Sequence, residues 1–258
     1  MYRVKHDHHS AGRDRRHRRT RGCRTLRVMA SLFIASLGLP ALSSTQTSNT
    51  ADSLSIFFLG DGGRHQPSLR AQELIPLMAN RRIGVTYTES LGDLNAENLV
   101  KYDGLIIYAD QVKIDSAQEK ALLDFVNAGK GLIAIHSASY CFPRSSRYVA
   151  LLGAQFKYHS TGSFRARTVG TDHPITRGEP EFETWDETYV HTKPNQDCVV
   201  LQVRREGDSD EPVTWVRTQG KGRVFYTAYG HDERTWNNSG FQSLIERAIR
   251  WSCGRPAP

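Results

Sequence analysis

Cysteine is scarce in this sequence. The chain has four cysteines, and no two of them stand in a Cys-x-x-Cys spacing, so a structural zinc site built from thiolates is not expected. Cys23 lies in the N-terminal region, which leaves Cys141, Cys198 and Cys253 in the rest of the chain. Because three is an odd number, at least one of these thiols is free or paired outside the chain, and their pairing stays open.

The motifs of two common enzyme classes are also missing. No Gly-x-Ser-x-Gly or Gly-x-Cys-x-Gly segment is present to form a nucleophile elbow, and 134–138 reads Ala-Ile-His-Ser-Ala instead. Acyl transfer by a serine or cysteine triad is therefore disfavoured, and a residual amidase using Ser137 or Cys141 is the weakest alternative. The glycines of 60–63 belong to neither a Gly-Lys-Ser/Thr nor a Gly-x-Gly-x-x-Gly pattern, so nucleotide binding is not indicated.

Excess positive charge is absent from most of the chain. The formal net charge is +7, but ten of the 34 Lys and Arg residues and only two of the 27 Asp and Glu residues lie in 1–43. The remainder carries a net charge of −1. Nucleic acid is therefore not expected as a partner of the folded region.

The N-terminal region has the order of a secretory signal. A basic stretch over 13–27 precedes an apolar stretch over 28–42, and small residues surround 41–43. The apolar stretch is too short and interrupted to span a bilayer, so no stable membrane anchor is expected after cleavage. We predict a signal peptide over 1–43, a polar linker over 44–53, and export to the periplasm or the extracellular space. The general secretory and twin-arginine routes both stay open, and a misassigned start codon or an uncleaved anchor is the alternative.

Residues 54–254 are predicted to form one α/β domain. Short apolar runs alternate with helical patterns in its first half, which predicts a doubly wound, mostly parallel sheet flanked by helices. The predicted parallel strands are 54–59, 83–87, 105–108 and 132–135. After residue 160, runs with strand-like alternation predict added antiparallel strands. These are 163–169, 187–192, 199–204, 213–218 and 223–229, and a helix over 240–251 closes the domain.

Polar residues that follow the predicted strands are the candidates for a functional site. Ligands of an open parallel sheet collect at the carboxyl ends of its strands, so residues far apart in sequence can converge there. The candidate catalytic residues are His65, His136 and His231. The candidate substrate-binding residues are Asp61, Arg64, Ser137, Asp186, Glu187 and Tyr189. Asp110, after the third strand, occupies an equivalent position.

Two of these positions have structural alternatives. His136 directly follows a buried run, where an imidazole can act as a general acid/base or a metal ligand; alternatively it is a hydrogen-bonded histidine that terminates a strand. The glycines of 60–63 let the backbone approach a substrate, with Arg64 and His65 supplying charge and hydrogen bonds. The alternative for this segment is a solvated turn.

The cofactor is left undetermined by the sequence. His159, His173 and His191 lie near Asp186 and Glu187 in the middle of the chain, and imidazole with carboxylate suits zinc or manganese. No His-x-x-x-His spacing supports such a site, so a divalent metal stays open without being favoured.

Aromatic residues in the same segments offer flat faces to a sugar ring, although core packing is preferred for Trp215 and Trp251. The others are Trp185, Tyr189, Tyr229 and Trp236.

Six stretches resemble, in the same order, segments of the ThuA-like (trehalose utilisation) family. They are 63–65 (Gly-Arg-His), 131–136 (Gly-Leu-Ile-Ala-Ile-His), 172–175 (Asp-His-Pro-Ile), 186–189 (Asp-Glu-Thr-Tyr), 212–215 (Pro-Val-Thr-Trp) and 220–227 (Gly-Lys-Gly-Arg-Val-Phe-Tyr-Thr), which runs on to 230–231 (Gly-His). The resemblance implies the fold of class I glutamine amidotransferases without their nucleophilic cysteine. It also implies a role in the metabolism of trehalose or keto-disaccharides, and it carries over no catalytic residues.

Two functional hypotheses follow. In the first, an exported enzyme acts on a saccharide as a hydrolase, lyase or isomerase. His136 and His231 are its acid/base or ligand groups, His65 is their partner, and Asp186 or Glu187 anchors hydroxyls or a metal. In the second, the domain is a sugar-binding or scaffold module without chemistry. Convergence of the three histidines on one pocket with a carboxylate favours the enzyme. The oligomeric state is not predicted.

Overall fold

The computed structural model describes residues 53–192 and 194–258. The predicted signal peptide (1–43) and the predicted linker (44–53), apart from Ser53, lie outside the described residues. Among the described helices, none combines the length and apolar character needed to cross a membrane.

An eight-stranded sheet and a two-stranded ribbon make up the β-structure of the described chain. The strands are β1 (Leu54–Leu59), β2 (Ile83–Thr88), β3 (Gly104–Ile107), β4 (Gly131–Ile135), β5 (Phe156–Arg165), β6 (Arg167–Thr168), β7 (Glu183–His191), β8 (Val199–Glu206), β9 (Ser209–Gln219) and β10 (Gly222–Thr227). The order across the large sheet is β2-β1-β3-β4-β10-β9-β8-β6. The first five in this order are parallel, and β9, β8 and β6 continue the sheet in antiparallel pairs.

Six helices accompany the strands: α1 (Pro67–Ala79), α2 (Ala96–Leu99), α3 (Ser116–Asn127), α4 (Ser146–Leu152), α5 (Glu233–Trp236) and α6 (Ser239–Ser252). The first three connect the parallel strands β1 to β4, α4 leads into β5, and α5 and α6 follow β10. Proline begins α1, where a missing N–H costs no helical hydrogen bond. A capping box between Asp115 and Gln118 begins α3. A short 3₁₀ turn, His136–Ser139, follows β4 directly.

Burial in the core explains why the parallel strands could be predicted from the sequence. Every residue of β3 and β4 is buried, as is β1 except for one partly buried residue, because helices cover both faces of the sheet. Such strands are continuous apolar runs, and the predicted doubly wound α/β class is confirmed. The carboxyl ends of β1, β3, β4 and β10 consequently lie along one edge.

Two strand predictions need correction. The run 163–169 is not one strand, because Arg165 ends β5 of the ribbon and Arg167 begins β6 at the edge of the large sheet. The intervening Ala166 donates its N–H to the Tyr229 hydroxyl at 3.1 Å. In addition, β10, grouped with the antiparallel strands by its alternation, pairs in parallel with β4 and in antiparallel only with β9. The parallel part therefore has five strands.

The ribbon of β5 and β7 supplies carboxylates to the edge of the sheet. Its strands pair from Phe156 opposite His191 to Arg165 opposite Glu183. Asp186 and Glu187 lie midway along β7, opposite Gly162 and Thr161. The site is therefore built from parallel strand ends on one side and from this ribbon on the other.

Candidate functional site

Three histidines from three strand ends meet at one place. His65 lies in the loop between β1 and α1, His136 directly follows β4, and His231 lies between β10 and α5. The ring centroids of His65 and His136 are 4.9 Å apart, those of His65 and His231 are 5.4 Å apart, and those of His136 and His231 are 5.8 Å apart. The convergence expected from the strand-end pattern is therefore present.

The Glu187 carboxylate stands at the centre of these rings. Its Oε2 lies 3.1 Å from His136 Nε2 and 3.8 Å from His65 Nε2, and its Oε1 lies 3.3 Å from His231 Nδ1. A fourth imidazole, that of His159 on β5, has its Nε2 3.6 Å from the same Oε1. One ring nitrogen of each of four histidines thus faces a single carboxylate.

The backbone at His136 is held in a costly conformation. His136 has φ 47°, in the left-handed region that a non-glycine residue adopts at a cost of about 1–3 kcal/mol. Its Nδ1 donates to the Ala228 carbonyl at 2.6 Å, which leaves Nε2 free to face Glu187. Tyr189 stacks on the ring with centroids 4.1 Å apart. These contacts fix the position and the tautomer of the imidazole.

His65 is oriented by Asp110, which follows β3. The Nδ1 of His65 lies 3.4 Å from Asp110 Oδ2, so its Nε2 faces the cluster. The Asp61 carboxylate accepts the backbone N–H of Asp110 and, at 2.8 Å, that of Gly63. Asp61 therefore braces the loop that carries His65, and the glycine-rich segment is an organised turn.

Asp186 is fully buried behind the cluster. Its carboxylate accepts the backbone N–H groups of Gly230 at 2.8 Å and His231 at 3.1 Å, and the Thr235 hydroxyl at 2.6 Å. It has no access to the pocket, and it holds the loop that presents His231.

Burial and the neighbouring charged groups together set the pKa values of the site residues. Burial alone raises the pKa of Glu187, but its interactions with His136, His231 and His65 outweigh burial and hold the pKa well below its usual range. Burial lowers the pKa of His65, yet the Asp110 and Glu187 carboxylates outweigh it and raise that pKa to about 9. Burial raises the pKa of Asp110, and the interaction with His65 outweighs it, so the pKa is lowered. Both carboxylates are therefore ionised at neutral pH.

A cavity of about 230 Å³ opens beside the cluster. It is lined by Arg64, His65, Asp110, Tyr140, Phe156, His159, Glu187 and Tyr189. Tyr140 and Phe156 form an edge-to-face pair with centroids 5.8 Å apart, which gives the polar site an aromatic wall. This volume is smaller than the about 300–1,000 Å³ of most small-molecule sites, so the cavity suits one small ligand group.

The other sequence candidates are distributed as follows. Arg64 is exposed at the cavity, Tyr189 is buried against His136, and Ser137 is fully buried, with no hydrogen-bond partner for its hydroxyl among the described residues. His173 packs against Trp251, and His191 bonds Tyr226, so neither belongs to the cluster. The midchain grouping of histidines contributes His159 alone.

Two lining residues, Tyr140 and Phe156, were absent from the sequence candidates for the site. They carry no signal in the sequence, since the two rings meet only when the turn after β4 packs against the ribbon. Asp110 was named by its position after the third strand, without a role. His159 was named among the midchain histidines, and it reaches the site because β5 pairs with β7.

The thiols and Ser137 are not arranged for nucleophilic catalysis. Cys141, Cys198 and Cys253 are all free. The Cys141 Sγ donates to the Ala109 carbonyl at 2.8 Å, and burial raises the pKa of this thiol well above its usual value. Neither Ser137 nor Cys141 makes a hydrogen bond to a histidine within the described part of the chain. The amidase alternative therefore loses its geometric basis.

A family model describes most of this domain. The model for trehalose utilisation, ThuA, matches residues 56–252. The chain belongs to the ThuA family. Comparison of this ThuA-family protein with curated proteins gives no match.

Solved structures share the fold of the ThuA-family domain. A ThuA-like protein from Bacteroides uniformis has a TM-score of 0.67 and 18% identity, covering 83% of this chain and 95% of that one. One from Parabacteroides merdae has a TM-score of 0.68 and 16% identity, covering 80% and 92%. A β-galactosidase from Bacillus circulans has a TM-score of 0.57 and 11% identity, covering 78% of this chain and 31% of that one. At these identities the likeness concerns the fold alone.

Proposed function

We propose that this ThuA-family protein is an enzyme that acts on a saccharide, of the trehalose or keto-disaccharide type, through its histidine and carboxylate cluster. The observation that carries the proposal is the arrangement of His65, His136 and His231 around Glu187 at the edge of an accessible cavity. A cluster that only stabilised the fold would not need to border a cavity that a ligand can enter. Hydrolysis, elimination and isomerisation of a sugar all require proton transfer or polarisation of an oxygen, which this arrangement can supply.

The character of the cavity supports a sugar ring as ligand. Tyr140 and Phe156 offer apolar faces of the kind that pack against sugar C–H groups, while Arg64 and Asp110 can bond hydroxyls or a carbonyl. The volume of about 230 Å³ accommodates one ring at the cluster, with the remainder of a disaccharide lying towards solvent.

Asp186 and Asp61 are assigned positioning roles within this proposal. Both carboxylates are engaged with backbone N–H groups of the loops that carry His231 and His65. The proposed reacting groups are therefore the cluster histidines, Glu187 and the residues at the cavity mouth.

Export is the second part of the proposal. Its support is the basic, apolar and small-residue order of 1–43. Expression of the full chain in a bacterium, followed by fractionation and N-terminal sequencing, tests it. Cleavage near residue 43 with recovery outside the cytoplasm is expected, and an intact chain in the cytoplasm contradicts it.

The activity is tested by NMR spectroscopy of trehalose and of a 3-keto-disaccharide incubated with the protein in D₂O. Hydrolysis gives new anomeric signals, elimination gives an unsaturated product, and isomerisation exchanges a C–H for deuterium. We expect conversion by the wild type and its loss in Glu187→Gln. Glu183→Gln is the matched control, because Glu183 is an exposed carboxylate on the same strand.

Binding distinguishes the enzyme from the module. Saccharide binding by calorimetry without any conversion supports the sugar-binding alternative. Absence of both binding and conversion contradicts the proposal.

A further inference from the structure

Two imidazole nitrogens of the cluster have no hydrogen bond although both are shielded from solvent. They are His65 Nε2 and His231 Nδ1, and neither finds a partner of suitable geometry among the described residues. Leaving a buried polar atom unpaired costs about 1–3 kcal/mol. Both atoms point towards the same carboxylate, so one group placed between them can satisfy both.

Four side chains that can bind a metal ion surround the space between these two nitrogens. One ligand atom each from His65, His136, His231 and Glu187 lies within 4.8 Å of all the others. Two ligands bound to zinc at about 2.0–2.1 Å in a tetrahedron are separated by ~3.3 Å. Glu187 Oε2 lies 3.1 Å from His136 Nε2 and 3.8 Å from His65 Nε2, on either side of that value, and His231 Nδ1 lies 3.3 Å from the other carboxylate oxygen, Oε1.

The opposite nitrogens of two rings are held as a metal site requires. His136 Nδ1 donates to the Ala228 carbonyl, and His65 Nδ1 faces the Asp110 carboxylate. Histidines that bind metals characteristically donate their other N–H to a carbonyl or carboxylate, which fixes the ring and directs a lone pair at the ion. Each ring therefore presents Nε2 to the cluster.

We infer that His65, His136, His231 and Glu187 form a binding site for one divalent transition-metal ion of the zinc class. Three imidazoles and one carboxylate form a donor set that zinc, cobalt and manganese accept, and one that calcium and magnesium do not prefer. The inference deepens the proposed function and rests on it for the identity of the saccharide that the ion meets.

With the ion assigned to this site, the groups around the cavity have separate roles. An ion held by these four residues would polarise a sugar hydroxyl or carbonyl that approaches from the cavity as a fifth ligand. His159, whose Nε2 lies 3.6 Å from Glu187 Oε1 and whose side chain is partly exposed, stays outside the donor set and is free to exchange a proton with the substrate. Asp110 acts as a positioning residue through His65.

The test uses the full chain without an affinity tag, depleted of metal by chelation and titrated with Co²⁺ and then with Zn²⁺. We expect one equivalent of Co²⁺ to give visible absorption bands of a four-coordinate ion, and Zn²⁺ to remove them. Glu187→Gln and His65→Gln are expected to weaken binding by more than the 10–100-fold that loss of an outer partner causes. Asp110→Asn is expected to fall within that 10–100-fold range.

His173→Gln is the control variant, since its imidazole packs against Trp251 away from the cluster. The histidines of 1–43, among them His6, His8 and His9, are a second source of imidazole. Equal binding by the wild type, Glu187→Gln and His65→Gln assigns the metal to that segment and overturns the inference. Circular dichroism checks that each variant is folded, and the wild-type titration does not depend on any variant.

Failure of this inference is distinct from failure of the proposed function. Stoichiometric metal that depends on the cluster, without saccharide conversion, leaves the metal site standing and removes the proposed activity. Conversion at the full rate by metal-free protein overturns the metal site and leaves the activity. Absence of stoichiometric Co²⁺ or Zn²⁺ binding by the wild type also overturns the inference.

Discussion

Asp186 and Glu187 are adjacent on β7, yet their carboxylates serve different parts of the molecule. Strand alternation sends neighbouring side chains to opposite faces. Asp186 is fully buried and bonds the backbone of the loop after β10, whereas Glu187 faces four imidazoles at the cavity. One carboxylate holds the scaffold and the other belongs to the site.

From this division we predict that one amide substitution mainly lowers stability and the other mainly lowers activity and metal binding. Asp186→Asn places an amide NH₂ against donors that need an acceptor, so the free energy of unfolding should fall by about 2 kcal/mol. Glu187→Gln should abolish activity and metal binding with a smaller effect on stability. Chemical denaturation of both variants, with Glu183→Gln as the exposed control on the same strand, measures the difference. A larger stability loss in Glu187→Gln than in Asp186→Asn would contradict the division.

Gly230 gives His136 the space for its left-handed backbone. Gly230 has φ +133°, and an added Cβ would meet Ile135 Cγ2 at 3.0 Å and His136 Cβ at 3.2 Å. Gly230→Ala should therefore lower stability by about 1–3 kcal/mol and weaken metal binding, because the imidazole is displaced. Gly178→Ala is the control, since its φ is also positive but an added Cβ meets nothing within 4 Å. Undiminished metal binding by Gly230→Ala would refute the coupling.

We expect the buried His191 to make the free energy of unfolding sensitive to acid. Burial lowers the pKa of His191 despite the opposing effect of Glu211. A histidine whose pKa in the folded state lies below its unfolded value of about 6.5 adds stability above that pH, and this stability is lost as the pH falls through the folded pKa. The loss amounts to at most about 1.4 kcal/mol per pH unit for one group.

The measurement is urea denaturation between pH 7.5 and 5, which are ~1 unit above and ~1.5 units below the unfolded pKa. His191→Gln, although less stable overall, should lose less free energy of unfolding over this range than the wild type. Equal slopes in the two proteins would exclude His191 as a source of acid sensitivity.

The aromatic wall of the cavity is expected to act on substrate binding more than on the reaction step. Phe156→Ala removes a ring that packs against Tyr140 and Tyr189, so KM should rise about tenfold, equivalent to about 1.4 kcal/mol, with kcat nearly unchanged. Tyr158→Ala removes an exposed ring from the same strand and should leave KM unchanged. A fall in kcat alone would argue against the wall as a binding surface.

Much of the fold was predictable because buried parallel strands leave a strong pattern. The runs at 54–59 and 132–135 coincide with β1 and β4 within one residue, and the strand-end argument placed His136 and His231 at one edge. The ribbon was less accessible to prediction. Alternation within 163–169 does not reveal that Arg165 pairs with β7 while Arg167 pairs with β8.

The sequence by itself determined the α/β class, the family and the set of histidines at strand ends, because each of these depends on local patterns and on chain order. The tertiary structure decided which carboxylate they surround. Asp186 and Glu187 are indistinguishable neighbours in the sequence, and only the packing of β7 against the loop after β10 buries one and turns the other into the cavity. The metal-binding geometry follows from that packing, since it depends on distances between residues that lie as far as 166 positions apart along the chain, as His65 and His231 do.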